Sequence, residues 1–186
     1  MQAVQCPRNI DRENEIARMY IAYFVRNAHN PRMDATDRRI LEQLQTDAAR
    51  SHADIGDVVH LSPSQVSRRI QRMQAEGVIR AQVALLNPEA LGLQVEAYVT
   101  VKLASFARAE VEAFHHRITT LPEVVECCSM TGDSDYLLRV MTTDLKAFNR
   151  LINRHLLGHG DVAAVRSSIV LDRIKRTSAL PLHRAD

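Results

Sequence analysis

Long apolar runs are missing from this chain. None approaches the roughly 20 residues needed to cross a bilayer, and the N-terminus lacks the continuous apolar core of a signal peptide, so neither a membrane nor a secretory route is expected. Cysteine is scarce too. Only three occur, and Cys127 and Cys128 are neighbours on a predicted strand, where successive side chains point to opposite faces and cannot share a metal. That usage fits a reducing cytoplasm better than a disulfide framework. An excess of charge of one sign is also absent: 24 Lys plus Arg stand against 22 Asp plus Glu, a net of +2, so any surface for a polyanion must be local. No Ser, His and Asp constellation, phosphate-binding loop or dinucleotide fingerprint occurs, so the enzyme classes those motifs mark have no support here. His155 and His159 stand four apart at a predicted helix end, a metal spacing, but no Glu or Cys completes the set; no metal and no cofactor are expected.

What is present is an ordinary globular composition, 46% apolar, on 186 residues, enough for one large domain or two small ones. The most informative stretch is 62–79, SPSQVSRRIQRMQAEGVI. Ser62 is placed to cap a helix, Pro63 fits its first position, and Gln65 completes a capping box. Val66, Ile70 and Met73 make one apolar stripe, and Gly77 supplies a left-handed stop. Ser64, Arg68 and Gln71 then point away from that stripe, with Ser67 and Arg72 on its flanks. Hydroxyls, an amide and guanidiniums are groups that reach base edges and phosphates. A basic helix face alone is commonly only solvated, so the neighbouring helices decide. One has Asp34 as N-cap with Asp37 three residues on, and buries Ile40, Leu41 and Leu44; the next has Ser51 as N-cap with Asp54, and buries Ile55, Val58 and Val59. With a short turn at His60 and Leu61, the three read as a helix-turn-helix unit over 33–78. That unit is not basic as a whole: residues 33–77 carry six Arg against seven Asp plus Glu.

Upstream, 1–32 carry a stripe of Ile16, Met19, Tyr20, Tyr23 and Phe24 with no partner nearby, and are read as an extension with Met33 as the candidate native start. Downstream, 78–86 (VIRAQVALL) reads as a linking strand ending at the Asn87-Pro88 turn, so that 79–93 form a linker. From 94 to 177 the pattern is βαββαβ. Val95, Ala97, Val99, Val101 and Leu103 alternate with Glu96, Tyr98, Thr100 and Lys102; Val111, Phe114 and Ile118 mark a helix; 124–130 and 136–141 form a hairpin about GDSD. Leu145, Phe148, Leu151 and Ile152 mark a second helix capped by Thr143, and Val165, Ser167, Ile169 and Leu171 a last strand; 178–186 are a tail. The class is α+β, with two helices on one face of a ferredoxin-like sheet. The other face, with Tyr98, Val125 or Met130, needs a cover, so at least a homodimer is expected.

Four fragments in this order, MDATDRRILEQLQ, LSPSQVSRRIQRMQAEGVI, ALLNPEALG and TGDSDYLL, resemble the leucine-responsive regulatory protein/AsnC family of transcription regulators from Met33 to about Thr177. Two positions depart from the family pattern: His60 stands where a turn Gly is usual, and Gly56 lies inside the second helix, where it weakens helix propensity by about 0.5–1 kcal/mol relative to Ala. The resemblance implies a winged helix-turn-helix head and a C-terminal effector domain of the RAM or ACT kind, with double-stranded DNA as partner. It also implies a homodimer, further assembled into tetramers or octamers, and a small effector, usually an amino acid, bound between effector domains. Candidate DNA-binding residues are Ser62, Ser64, Gln65, Ser67, Arg68, Arg69, Gln71, Arg72 and Arg50; of these Ser64, Gln65, Ser67 and Arg68 are the candidates for reading bases, and Arg69, Arg72 and Arg50 those for contacting phosphates. Candidate effector residues are Thr131, Gly132, Asp133, Asp135 and Tyr136, since a Gly-Asp turn can offer carboxylates to an ammonium and N–H groups to a carboxylate. Two other readings fit the same scaffold. One is a siroheme-decarboxylase-like enzyme using His115, His116 or His155; the other is an oligomerisation module that does not bind DNA.

Overall fold

A computed structural model describes residues 33–182, so the stripe at 16–24 lies outside the described residues. The described chain falls into two compact units: 33–85 together with 175–182 make the head, and Leu86–Ile174 make the effector domain.

In the head, α1 (Ala35–Thr46), α2 (His52–Val59) and α3 (Pro63–Ala75) close on one core of Ile40, Leu41, Ile55, Val59, Val66, Ile70 and Met73. The capping signals act as read. Asp34 and Asp37 form a reciprocal capping box on α1, Ser51 accepts from Asp54 N–H, and Ser62 and Gln65 form a second box on α3. His60 ends α2 with φ 60°, the left-handed conformation that a turn Gly at this position would adopt. Gly56 has a reason the sequence did not show. A Cβ there would stand 2.5 Å from the Leu61 carbonyl oxygen, so the turn into α3 comes too close for any side chain. Gly77 has φ 74°, and Ile79 N–H reaches back to the Met73 carbonyl at 3.1 Å to finish α3.

The linking strand anticipated at 78–86 is not one. The segment has no ladder partner among the described residues, and Val83, Leu85 and Leu86 are 73, 77 and 66% exposed. A strand exists by pairing, and no described segment pairs with this one or gives the helix-turn-helix a two-stranded wing.

The effector domain has a four-stranded antiparallel sheet in the order β2-β3-β1-β4, built from β1 (Val95–Leu103), β2 (Val124–Ser129), β3 (Tyr136–Thr142) and β4 (Val162–Ile169). Helices α4 (Arg108–Thr119) and α5 (Leu145–Ile152), the latter running into a π-helical turn at Asn153–Leu157, cover one face. Beneath them lie Ala97, Val99, Val101, Leu103, Leu138 and Val140, with Phe114, Ile118, Phe148 and Leu156 descending from the helices. Two local expectations are corrected. Asp144, not Thr143, caps α5, because its carboxylate accepts from Ala147 N–H at 2.7 Å. Leu171 lies beyond β4 and is 97% exposed, and within β4 only Val162 and Val165 reach the core, as expected at a sheet edge.

Among the described residues nothing covers the opposite sheet face. The register sets Tyr98 beside Arg139 and Ser168, and Thr100 beside Leu137 and Arg166; Val125 and Met130 are 48 and 45% exposed.

Candidate nucleic-acid interface and effector loop

The pitch of α3 sorts its polar residues into two groups. Val66, Ile70 and Met73 are buried, while Ser64, Arg68 and Gln71 are exposed on the far side, at i, i+4 and i+7. Arg68 and Gln71 have no hydrogen-bond or ion-pair partner among the described residues, so both are available to an external ligand. Ser67 is half-buried. Ser62 and Gln65 already serve the helix start: Gln65 Oε1 accepts from Ser62 N–H at 3.0 Å, and Ser62 Oγ accepts from Gln65 N–H at 3.4 Å and lies 3.1 Å from Ser64 Oγ.

The other arginines turn inward. Arg69 Nη1 donates to Asp34 Oδ2 at 2.7 Å and to Asp37 Oδ1 at 2.8 Å, and Arg72 Nη2 donates to Asp37 Oδ2 at 2.5 Å. Asp37 is fully buried, so both its oxygens are satisfied by α3. The Arg69 guanidinium holds the Asp34 carboxyl below its ordinary value, and Asp34 in turn raises Arg69. Arg50 is half-buried and bonds Gln43 Oε1. Sequence reasoning missed this clamp although its signal was present: two carboxylates three apart on α1 match two guanidiniums three apart on α3.

The hairpin loop is built in two layers. Thr131, Gly132 and Asp133 are exposed, and Gly132 holds φ 109°, a region closed to side-chain-bearing residues without strain. Asp135 is occupied. Its Oδ2 accepts from Leu103 N–H at 2.7 Å, where the register of β1 and β4 shifts, and its own N–H donates to Val101 O at 2.9 Å. Tyr136 is 8% exposed and lies on the helix side, its hydroxyl 2.8 Å from His115 Nε2 and its ring 4.7 Å from Phe114. The loop therefore presents an outer rim of Thr131 to Asp133 on a base that Asp135 and Tyr136 fix. A groove of about 590 Å³ lies elsewhere on the effector domain, among Glu123, Asn149, Arg150, Asn153, Arg154 and His155, and none of residues 131–136 lines it. His115 and His116 sit on α4 and His155 on the π-helical turn; among the described residues no three metal-binding side chains stand together.

A helix-turn-helix whose third helix presents a polar face, followed by a ferredoxin-like domain, is the arrangement of a two-domain regulator. The AsnC-type helix-turn-helix domain model matches 33–74 and the Lrp/AsnC ligand binding domain model matches 96–180. Transcriptional regulator AzlB of Bacillus subtilis is 30% identical over 150 residues, covering 81% of this chain and 96% of its own length. The leucine-responsive regulatory protein of Escherichia coli K12 is 32% identical over 148 residues, 80% of this chain and 90% of that one. Among solved structures, a Neisseria meningitidis transcriptional regulator in complex with L-Met matches with a TM-score of 0.77 at 37% identity, over 81% of this chain and 97% of the other. An AsnC family regulator from Agrobacterium tumefaciens matches with 0.76 at 39%, over the same shares. The chain belongs to the Lrp/AsnC family of transcriptional regulators.

Proposed function

We propose that this chain regulates transcription by laying α3 in the major groove of operator DNA, with Ser64, Arg68 and Gln71 toward the bases, Ser67 beside them, and Arg50 and the edges of Arg69 and Arg72 toward phosphates. The observation that carries this reading is the free Arg68 guanidinium at the centre of the exposed face of α3, where a forked donor can take two acceptors of a guanine edge. Ser62 and Gln65 contribute by fixing the helix start. Two heads in a homodimer would engage half-sites about one helical turn apart.

The effector is an amino acid held by the rim at Thr131, Gly132 and Asp133, on the base made by Asp135 and Tyr136, and completed by a second copy in a dimer, tetramer or octamer. The L-Met bound to the Neisseria relative supports this class. The exposure of Thr131, Gly132 and Asp133 supports completion by another subunit. No catalysis is assigned, and the protein works in the cytoplasm, where its DNA partner is; among the described residues no helix is long and apolar enough to cross a membrane.

Arg68→Ala tests the DNA reading and should weaken operator binding by about tenfold or more at fixed salt. Unchanged affinity would contradict it. For the effector, Asp133→Ala is the clean variant, because Asp135 also holds β1. With L-Met as the probe, the wild type should change its operator affinity and Asp133→Ala should not, whereas an undiminished response would move the site elsewhere.

A further inference from the structure

The chain enters the head twice, and the second entry is fastened at both ends. At its root, Val170 N–H donates to the Glu96 carbonyl at 2.9 Å, and Arg173 pairs with the Glu96 carboxylate, which also takes Arg139 Nε at 2.5 Å. The three side chains are 14 to 28% exposed, so water screens these pairs less than it screens surface pairs. At the far end, Gln45 of α1 reads the backbone of Leu180: its Nε2 donates to the Leu180 carbonyl at 3.1 Å and its Oε1 accepts from Leu180 N–H at 2.6 Å. Leu182 then packs against the core of the head. Between the anchors, residues 174–179 are all exposed, Ile174 to 90%.

From Arg173 to Leu180 an extended chain spans at most about 25 Å. A single linker leaves a domain free to swivel within its reach; a second, short connection limits both distance and rotation. The Glu96 anchor is shared by β1, β3 and the root of this segment, so it belongs to the open sheet face.

We propose that residues 170–182 are a second tether, docked on α1 by Gln45 and Leu182, that restricts the orientations of the DNA-binding head. Its consequence at the operator rests on the DNA-binding reading above; its docking does not.

Lys175 and Arg176 provide tryptic sites inside the tether, so docking is tested in the full chain by trypsin and mass spectrometry. Gln45→Ala combined with Leu182→Ala should speed cleavage after these residues by about fivefold or more, with far-UV circular dichroism unchanged. Equal rates overturn the docking. The restriction is tested with a Gly-Ser insert of about six residues between Thr177 and Ser178, which keeps both anchors and slackens the span. On duplexes that the wild type selects from a random library, moving one half-site by about five base pairs should cost the wild type about tenfold in affinity and the insert variant less than about threefold. Single half-site affinity should be equal in both. An insert variant as strict about spacing as the wild type overturns the tether. A wild type that selects no sequence overturns the regulatory reading and the tether's role with it, while the trypsin rates still decide the docking.

Discussion

Arg68 and Arg69 are adjacent and chemically identical, yet a rotation of about 100° per residue gives them opposite duties. Arg68 is exposed and has no partner among the described residues, whereas Arg69 joins Asp34 and the buried Asp37. Arg69→Ala should therefore lower stability by about 2–3 kcal/mol, less than the about 3–5 kcal/mol typical of breaking a buried pair, because Arg72 still meets Asp37. Arg68→Ala should change it by no more than about 0.5 kcal/mol. Urea denaturation of the two variants decides, and equal losses would contradict the division of roles. Gly56 gives a second contrast. Helix propensity alone says that Gly56→Ala gains about 1 kcal/mol, but the added Cβ would meet the Leu61 carbonyl oxygen at 2.5 Å, and overpacking costs of about 1–3 kcal/mol win. The variant should melt below the wild type; a higher melting temperature would show that the turn into α3 yields easily.

The element α1 docks on α3 through a matched pair of charge rows over the apolar core, and paired carboxylates in the head and in the effector domain couple stability to pH. Asp34 titrates below its ordinary 3.8 because of Arg69; for Glu96, burial pushes the carboxyl up, but Arg173 and Arg139 outweigh it and hold it below 4.5. A carboxylate depressed by folding stabilises above its unfolded value and loses that contribution as pH falls through the folded one. Melting temperature should thus be level near neutrality and decline below about pH 4.5, more steeply in the wild type than in Glu96→Gln; parallel curves would mean that the Glu96 pairs are solvent-screened. The elements themselves were legible in the sequence, since Ser62, Pro63, Gln65 and Gly77 are local signals and the βαββαβ order follows from period changes. What escaped notice depends on a distant partner. Asp37 looked like a capping residue until Arg69 and Arg72 arrived from α3, and Asp135 looked like a free ligand group until Leu103 claimed it. The segment 78–86 has strand composition but no partner strand among the described residues, a fact that no local pattern carries.

At the scale of the whole molecule, Val83, Leu85 and Leu86 are exposed and nothing among the described residues covers the open sheet face, the pattern of an association surface. Leu137 lies half-buried on that face, paired with Thr100. Leu137→Asp should leave the domain folded and shift the protein toward monomer in sedimentation at micromolar concentration, while a wild type that is already monomeric would contradict the dimer. On the function proposed above, a ligand at the loop rim would alter assembly or head freedom, and the heads would read DNA. The most direct test of the account is the affinity of the full-length protein and of Arg68→Ala for a duplex selected by the wild type, measured by fluorescence anisotropy at one salt concentration. The account predicts sequence-specific binding by the wild type and a loss of about tenfold or more in the variant, with matched melting temperatures. Equal affinities for selected and scrambled duplexes, or no loss on removing Arg68, would contradict it.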